Sequence, residues 1–291
     1  MQEDPKKIFV DISVLIITYN ESLNLLRSIA SLNWADDIVV LDSFSEDETV
    51  AVAKKLGARI YQRKFDNFAA QRNYALNHIK FKHDWILHLD ADEVVTTKLF
   101  EEMRHAITIN HYDAFKIPSK MLFFDKWLKY SGMYPVYQVR LGRKDCLRFK
   151  QVGHGQREDL PPHKIGTLKE SYIHYGFSKG ITGWIEKHNR YSTDEAMEIF
   201  LTNSLKKKLD WKNFFSKDLT SRRRAVKTLS FKLPFRPLLR FFYMYILRLG
   251  FLDGRSGLIY CCLLAIYQYE IDLKVKELNI NQNKIINKIK L

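Results

Sequence analysis

Three cysteines are too few for a disulfide framework, and their placement is wrong for one. Cys146 stands alone, and Cys261 and Cys262 are adjacent. No CxxC spacing offers a structural zinc site, so a reducing compartment is expected. A glycine-rich phosphate loop is also missing. TYNE, residues 18–21, follows the first apolar run instead, which counts against a nucleotidyltransferase-type phosphate cradle. No uncharged stretch approaches the roughly 20 residues that cross a bilayer; the segments Phe241 to Leu247 and Gly257 to Tyr269 are both too short. The first residues lack a basic region followed by a long apolar run, and Asp11 and Ser13 interrupt the apolar run that is there. No signal peptide is expected. Acidic residues are scarce in one region: Leu205 to Arg255 holds fourteen Lys/Arg against three Asp/Glu, out of a net charge of +14 for the whole chain. That excess needs an anionic partner or a solvated surface.

What is present is ample core material. The 291 residues are 46% hydrophobic and 13% aromatic, which excludes a disordered tail and a small stapled scaffold. The N-terminal third alternates strands and helices. Asp11 to Thr18 (DISVLIIT) is a continuous apolar run, as in a strand covered on both faces. Asn20 to Leu32 repeats at helical spacing, with Leu23, Leu26, Ile29 and Ala30 on one face. Asp37 to Leu41 is a second strand. Ser45 to Leu56 is a second helix, with Ser45 as N-cap, Glu48 completing a capping box, and Gly57 as its stop. Arg59 to Gln62, Ala69 to Ile79 and Trp85 to Leu89 continue the rhythm. The alternation predicts a doubly wound α/β sheet, whose ligands bind at the carboxyl ends of the strands. Further on, short strands are expected at Ala114 to Ile117 and Gln138 to Leu141, then a helix at Gly183 to Phe200 and a helical, basic, aromatic remainder.

Three polar clusters fall at strand ends: Thr18-Tyr19-Asn20-Glu21, Asp42-Ser43 and Asp90-Ala91-Asp92-Glu93. Two carboxylates two residues apart can hold a hard divalent cation and a sugar hydroxyl together. The competing reading is a strand-end turn with solvated carboxylates. Asp42 would accept hydrogen bonds from a base or ribose, or close an Asx-type turn. Asp47 and Thr49 read as capping residues. Arg72 opens a helix near the same edge, where it would meet a phosphate or simply be a solvated helix charge.

The run TYNE, DSFSEDET, AQRNYAL and WILHLDADE resembles family 2 glycosyltransferases with the GT-A fold. YPVYQVRL, GHGQRE, HYGFSKGITGWIEKHNRYSTDEA and GFLDGRSG resemble the bacterial branch acting on lipopolysaccharide core or other lipid-linked glycans. The resemblance runs from Ile12 to Glu270. It implies a Rossmann-like, mostly parallel central sheet and an inverting transfer from a nucleoside-diphosphate sugar, often a UDP-sugar. By that resemblance Thr18, Asn20 and Glu21 line the nucleotide site, and Asp42 contacts uracil or ribose. Asp90 contacts ribose or sugar, and Asp92 binds a divalent metal, Mg²⁺ or Mn²⁺, on the diphosphate. Gln138 and Arg140, in a strand where the family tends to keep both, would contact donor phosphate or acceptor; a strand-surface pair is the alternative. Inversion requires a general base. Glu158 is the candidate and Asp159 the next, with loop carboxylates as the alternative. His154 is followed by Gly155 where related chains often show His-Glu. His154 and His174 would complete the metal shell or be structural histidines.

The expected organisation is a catalytic domain over 1–180, with nucleotide-sugar binding in 8–93 and the acceptor and base region in 94–180. A helical region over 181–291 follows, with an amphipathic basic segment at 205–255. Phe231 to Phe251 alternates basic with aromatic and aliphatic residues, which suits an in-plane anchor on anionic lipid or helices packed with a charged outer face. The expected partners are a nucleotide-sugar donor, a glycan or lipid-linked acceptor and an anionic membrane surface. The expected location is the inner face of the cytoplasmic membrane, as a peripheral protein. Nucleic acid is not expected, because carboxylates at three strand ends repel phosphate unless a metal intervenes.

Overall fold

The structure, a computed structural model, describes residues 10–109, 111–152, 155–204 and 235–289, with side chains of 202–204 and 283–289 left aside. His154 and most of the basic segment, 205–234, lie outside the described residues. The chain divides into two compact units: 1–129 with 134–178, and 130–133 with 179–291.

The first unit is built on a mixed sheet in the order β3-β2-β1-β4-β8-β6-β12-β5. β1 (Ile12–Thr18) is buried at every position, as an apolar run without alternation requires in a sheet covered on both faces. It pairs in parallel with β2 (Ile38–Asp42) and β4 (Trp85–Asp90), and β2 pairs in parallel with β3 (Arg59–Gln62). β8 (Val136–Arg143) runs antiparallel to β4 and to β6 (Ala114–Phe123). β12 (Tyr172–His174) is parallel to β6 and antiparallel to the short β5 (Glu93–Val94). β7 (Lys126–Trp127) and β11 (Ile165–Thr167) attach to β6, and β9 (Phe149–Val152) and β10 (Gly155–Glu158) form a separate hairpin. Helices α1 (Ser22–Ala30), α2 (Thr49–Lys55), α3 (Phe68–His78) and α4 (Thr97–Ala106) complete the unit. Side chains from the two sheet faces enter two separate cores, one including Val14, Ile16, Leu87 and Leu89, the other Leu15, Leu41 and Ile86. This is the doubly wound α/β arrangement that the alternation predicts.

Two local expectations change. Ser45 does not cap α2, which starts four residues later at Thr49; its side chain is drawn back to Asp42 instead. The C-terminal stop is as expected. Gly57, at φ +80°, donates to the Lys54 carbonyl, and Ala58 donates to the Ala53 carbonyl, which together make a Schellman motif. The buried face of α1 is Asn24, Leu25, Ser28 and Ile29, while Leu23 is 85% exposed. Hydrophobic spacing places Leu23 inward. Asn24 takes that face because its amide donates to Glu21 Oε2 at 2.6 Å and to Ser178 Oγ at 2.7 Å.

The second unit is helical. α5 (Gly180–Ser204) packs on α7 (Gly254–Ile289) through Ala196, Ile199 and Ile271. Lys274 Nζ pins the pair by donating to the Asn189 carbonyl and to Ser192 Oγ. α6 (Arg236–Phe242) continues into a π turn, Tyr243–Leu247, and a 3₁₀ turn, Gly250–Asp253, leads into α7. Among the described residues, no single helix is long and apolar enough to cross a membrane. Cys146, Cys261 and Cys262 are all free thiols.

Candidate active site

Register decides which polar strand ends meet. Thr18 lies opposite Asp42, and Ile17 lies opposite Asp90. Neighbouring strands are about 4.8 Å apart, so the ends of β2, β1 and β4 form one continuous edge. The chain moves from β1 outward to β2 and β3, then crosses back to β4 on the other side of β1. The β1/β4 crevice is thus the switch point where doubly wound sheets bind ligands.

At the β1 and β2 ends the two loops lock together. Asn20, at φ +53°, donates its N–H to Ser45 Oγ at 2.8 Å, and its side-chain carbonyl accepts from the Glu46 N–H at 2.8 Å. Glu21 N–H donates to Thr49 Oγ1 at 2.8 Å, and Ser22 N–H to Asp47 Oδ2 at 3.2 Å. Asp47 also accepts the Thr49 N–H at 2.9 Å, so Asp47 holds the first N–H of α2, and Asp47 and Thr49 together tie that turn to the start of α1. Asp42 is fully buried. Its carboxylate accepts from the Ser45 N–H at 2.9 Å, the Ser45 hydroxyl and the Gln62 amide. It closes an Asx-type turn at the edge. Thr18 Oγ1 is buried with no hydrogen-bond partner among the described residues.

At the β4 end the carboxylates are held by guanidinium groups. Arg72 of α3, 1% exposed, donates to Asp90 Oδ1 at 2.6 Å. Arg140 of β8, 2% exposed, donates to Asp90 Oδ2 at 2.7 Å and also to Glu93 Oε1. Glu93 Oε2 accepts the Asp90 N–H at 3.0 Å. Arg140 reaches this position because it is the extra residue of a β-bulge: Phe115 pairs with Leu141 and Lys116 with Val139, which leaves Arg140 unpaired. Bulges re-aim side chains in this way. Both arginines clamp acids from inside the fold. Gln138, in contrast, is exposed.

The electrostatics follow. Burial disfavours the Asp90 carboxylate, but Arg140 and Arg72 outweigh it and hold its pKa well below the usual carboxylate range. Burial pushes Glu93 up to about 7, with Arg140 pulling it down and Asp90 pushing it further up. Burial, opposed by Asp90, lowers Arg72 to about 10. His88, two residues before Asp90 on the same strand, is fully buried, and among the described residues neither ring nitrogen has a hydrogen-bond partner. Burial, then Arg72 and Arg140, push its pKa well below 6.5, so it is a neutral spacer.

Asp92 points elsewhere. His174 Nε2 lies 3.3 Å from Asp92 Oδ2, and the Asp92 carbonyl accepts the Tyr175 N–H at 2.9 Å. The segment following β12 wraps this corner. Arg27 stacks over the Tyr175 ring at 3.9 Å, and Ser178 receives Asn24. HYGFS thereby links the DADE turn to the TYNE turn. Among the described residues, no group of three or more His, Cys, Asp and Glu side chains gathers as a metal cage. Asp92 and His174 supply two donors, and both oxygens of Asp90 already accept from arginines. That set fits only a cation that brings most of its oxygens with a diphosphate and water, as Mg²⁺ and Mn²⁺ commonly do.

The two base candidates separate. Asp159 is paired with Lys150 at 2.7 Å on the surface. Glu158 lies opposite Phe149 in the β9–β10 hairpin, and directly opposed residues share a face. The Phe149 ring lies 5.8 Å from the Arg72 guanidinium and 5.2 Å from His88, and its backbone is bound by Asn73 in α3. Glu158 is therefore carried on the flank of the Asp90 clamp. Sequence reasoning gave Glu93 no role and left His174 open. The signal for both was the antiparallel register that sets Glu93 opposite His174.

The sequence profile described as Glycosyl transferase family 2 matches residues 13–172. An uncharacterized glycosyltransferase of Rickettsia conorii is 26% identical over 295 residues, covering 97% of this chain and 95% of its own length. Another, of Rickettsia bellii, is 30% identical over 202 residues, covering 65% of this chain and 67% of its own length. Among solved structures, a mannosyltransferase from Pyrobaculum calidifontis in complex with GDP-Man and Mn²⁺ aligns with 94% of this chain and 90% of its own, at 12% identity and a TM-score of 0.49. Because the profile spans more than half of the chain, from the first strand of the sheet to the Tyr172 strand beside the DADE turn, the chain belongs to glycosyl transferase family 2.

Proposed function

We propose that this glycosyltransferase is inverting and assisted by a divalent metal. It would move a hexosyl group from a nucleoside-diphosphate donor, UDP-linked, to a hydroxyl of a glycan or lipid-linked acceptor in bacterial cell-surface polysaccharide or lipopolysaccharide assembly. The observation that carries the reading is the alignment of Thr18, Asp42 and Asp90 at three adjacent strand ends beside the switch point.

The nucleotide lies over the interlocked loops, against Thr18, Asn20 and Glu21, with Asp42 fixing their shape from below. Asp90 accepts a hydroxyl of ribose or sugar. Its carboxylate is about a third exposed, and each oxygen keeps a second lone pair, while Arg72 and Arg140 fix its orientation. Asp92 and His174 would hold Mg²⁺ or Mn²⁺, which as a Lewis acid neutralises charge on the leaving diphosphate. Gln138, on the open rim, faces donor phosphate or acceptor. Glu158 accepts the acceptor's hydroxyl proton as the new C–O bond forms and the nucleoside diphosphate leaves; Asp159, spent on Lys150, is the weaker candidate. The domain reading of 1–180 as catalytic and 181–291 as a helical region accompanies this proposal. So does peripheral attachment, through the basic segment 205–255, to the anionic inner face of the cytoplasmic membrane, where cytoplasmic nucleotide sugars meet lipid-linked acceptors.

Calorimetry of UDP with and without Mn²⁺, followed by a nucleotide-sugar panel scored for hydrolysis and thermal protection, tests the reading. Metal-dependent UDP binding and protection by one donor class are expected. Absence of both, with tight salt-sensitive DNA binding instead, would sink it.

A further inference from the structure

A dense run of exposed apolar residues in the second unit lies at the junction of α6 and α7. Ten large apolar residues between Phe235 and Leu252 are exposed, Leu247 the most within the junction at 73% and Leu252 at 51%. Single exposed apolar residues are ordinary, but a contiguous cluster marks a surface that something covers.

The junction is a built feature. The helical segments Arg236–Leu247 and Gly250–Gln282 meet at 73°. A Cβ on Gly250 would lie 2.6 Å from the Met244 carbonyl oxygen, and one on Gly257 would lie 2.3 Å from the Gly250 carbonyl oxygen, so only glycine permits this crossing. Asp253, 2% exposed, accepts from the Tyr130 N–H at 3.0 Å, the Ser131 N–H at 2.7 Å and the Ser131 hydroxyl at 2.6 Å. The GFLDGRSG motif is accounted for by these contacts. Leu249 sits at φ +60°, a strained conformation for a residue with a side chain, and Leu247, Phe251 and Leu252 beside it are exposed.

Charge selects the occupant. Arg236 is buried on Asp272 at 2.6 Å. Arg240, Arg248 and Arg255 have no ion pair among the described residues; of the described acids that meet this segment, Asp253 is buried and Asp272 is paired with Arg236. A second copy of this chain meeting the same patch would set these arginines against their own images, a repulsive arrangement. Lipid phosphates above an acyl layer match both features. Among the described residues neither arm passes alone as a span, and the two pass only together as a bent pair; the first arm, Arg236–Leu247, is about 18 Å long at 1.5 Å per residue, short of the roughly 30 Å hydrocarbon core.

We infer that the α6–α7 junction is a wedge that enters one leaflet of an anionic phospholipid bilayer, with Arg240, Arg248 and Arg255 at the phosphate level. This rests on the membrane-surface reading above and adds the inserting element to it. The test is flotation of the full chain with phosphatidylcholine vesicles, with and without phosphatidylglycerol, at low and high salt. Wild type should float with the anionic vesicles and retain part of that binding at high salt. Leu247→Asp with Leu252→Asp should lose the salt-resistant part by about tenfold or more, with an unchanged melting temperature. Leu247→Phe with Leu252→Phe should keep it. Arg248→Gln with Arg255→Gln should weaken low-salt binding instead. If the Asp pair floats like wild type at high salt, insertion is overturned while surface adsorption stands. If wild type floats at neither salt, both readings fall. If the Asp pair instead converts a lipid-free dimer into a monomer, the patch is a self-association surface and the wedge is overturned.

Discussion

Removing the Arg140 guanidinium should cost this fold more than any surface charge, and the cost should depend on Glu93. The DADE corner holds two buried guanidiniums, Arg72 and Arg140, against two carboxylates, Asp90 and Glu93. With Glu93 ionised, as it is at a pH well above about 7 where the cycle is to be run, their formal charges cancel. Arg140→Met leaves a net negative charge in a site where Arg140 and Glu93 side chains are 3% and 2% exposed. Breaking a buried ion pair by deleting one partner costs about 3–5 kcal/mol. Glu93→Gln leaves the opposite imbalance and should cost about 2–3 kcal/mol. The double variant restores neutrality, so its loss should fall short of the sum of the singles by about 2 kcal/mol or more. Urea unfolding of all four proteins, without metal or nucleotide, measures this, provided that the slope with denaturant stays constant. Losses that add to within about 0.5 kcal/mol would mean that Arg140 and Glu93 do not share a buried contact, and the clamp on Asp90 would have to be abandoned.

Asp92→Asn should abolish turnover while leaving the melting temperature within a few degrees of wild type; substantial activity with bound metal would refute its role. Glu158→Gln should lower kcat about 10²–10⁴-fold with little change in donor KM, and Asp159→Asn should change kcat by only a few-fold; a reversed order in steady-state kinetics would move the base to Asp159. Asp37 offers a pH test remote from the site. Its buried carboxylate accepts from Ser13 Oγ at 2.5 Å, the Lys82 N–H at 2.8 Å and Arg59 Nη2 at 2.7 Å, and against the cost of burial these bonds hold its pKa below 3.8. Asp37→Asn should cost about 2 kcal/mol. That difference should be full above the unfolded pKa and shrink as the pH falls toward the folded one, and a pH-independent difference in unfolding scans would contradict the assignment.

The sheet was legible because its signals are local. DISVLIIT, DIVVL and WILHL are apolar runs bounded by turn residues, and each became a parallel strand ending where its polar cluster begins. What escaped was set by contacts distant in sequence. Ser45 followed by Glu48 satisfies the capping-box pattern, yet Asp42 offers the serine a stronger acceptor and the helix starts later. Leu23 fits an apolar stripe, but Asn24 must face Glu21 and Ser178, 154 positions away, and the helix rotates accordingly. The sequence offered Arg72 and Arg140 as phosphate or acceptor contacts or as surface charges and gave no sign of their acid partners, because no sequence pattern announces a bulge in β8 or shows which acids a helix will cover. Glu93 and His174 became partners only through strand register.

The interlocked loops at the β1 and β2 ends carry a thermodynamic consequence. Asn20, Ser45, Glu46, Asp47 and Thr49 already satisfy one another's backbone groups, so the shelf proposed to carry the nucleotide is ordered before any ligand arrives. Binding there pays little to freeze the protein chain. Affinity differences among bases should then report direct contacts and desolvation, with enthalpies that change little when the loops are stiffened further by a substitution such as proline at a compatible position.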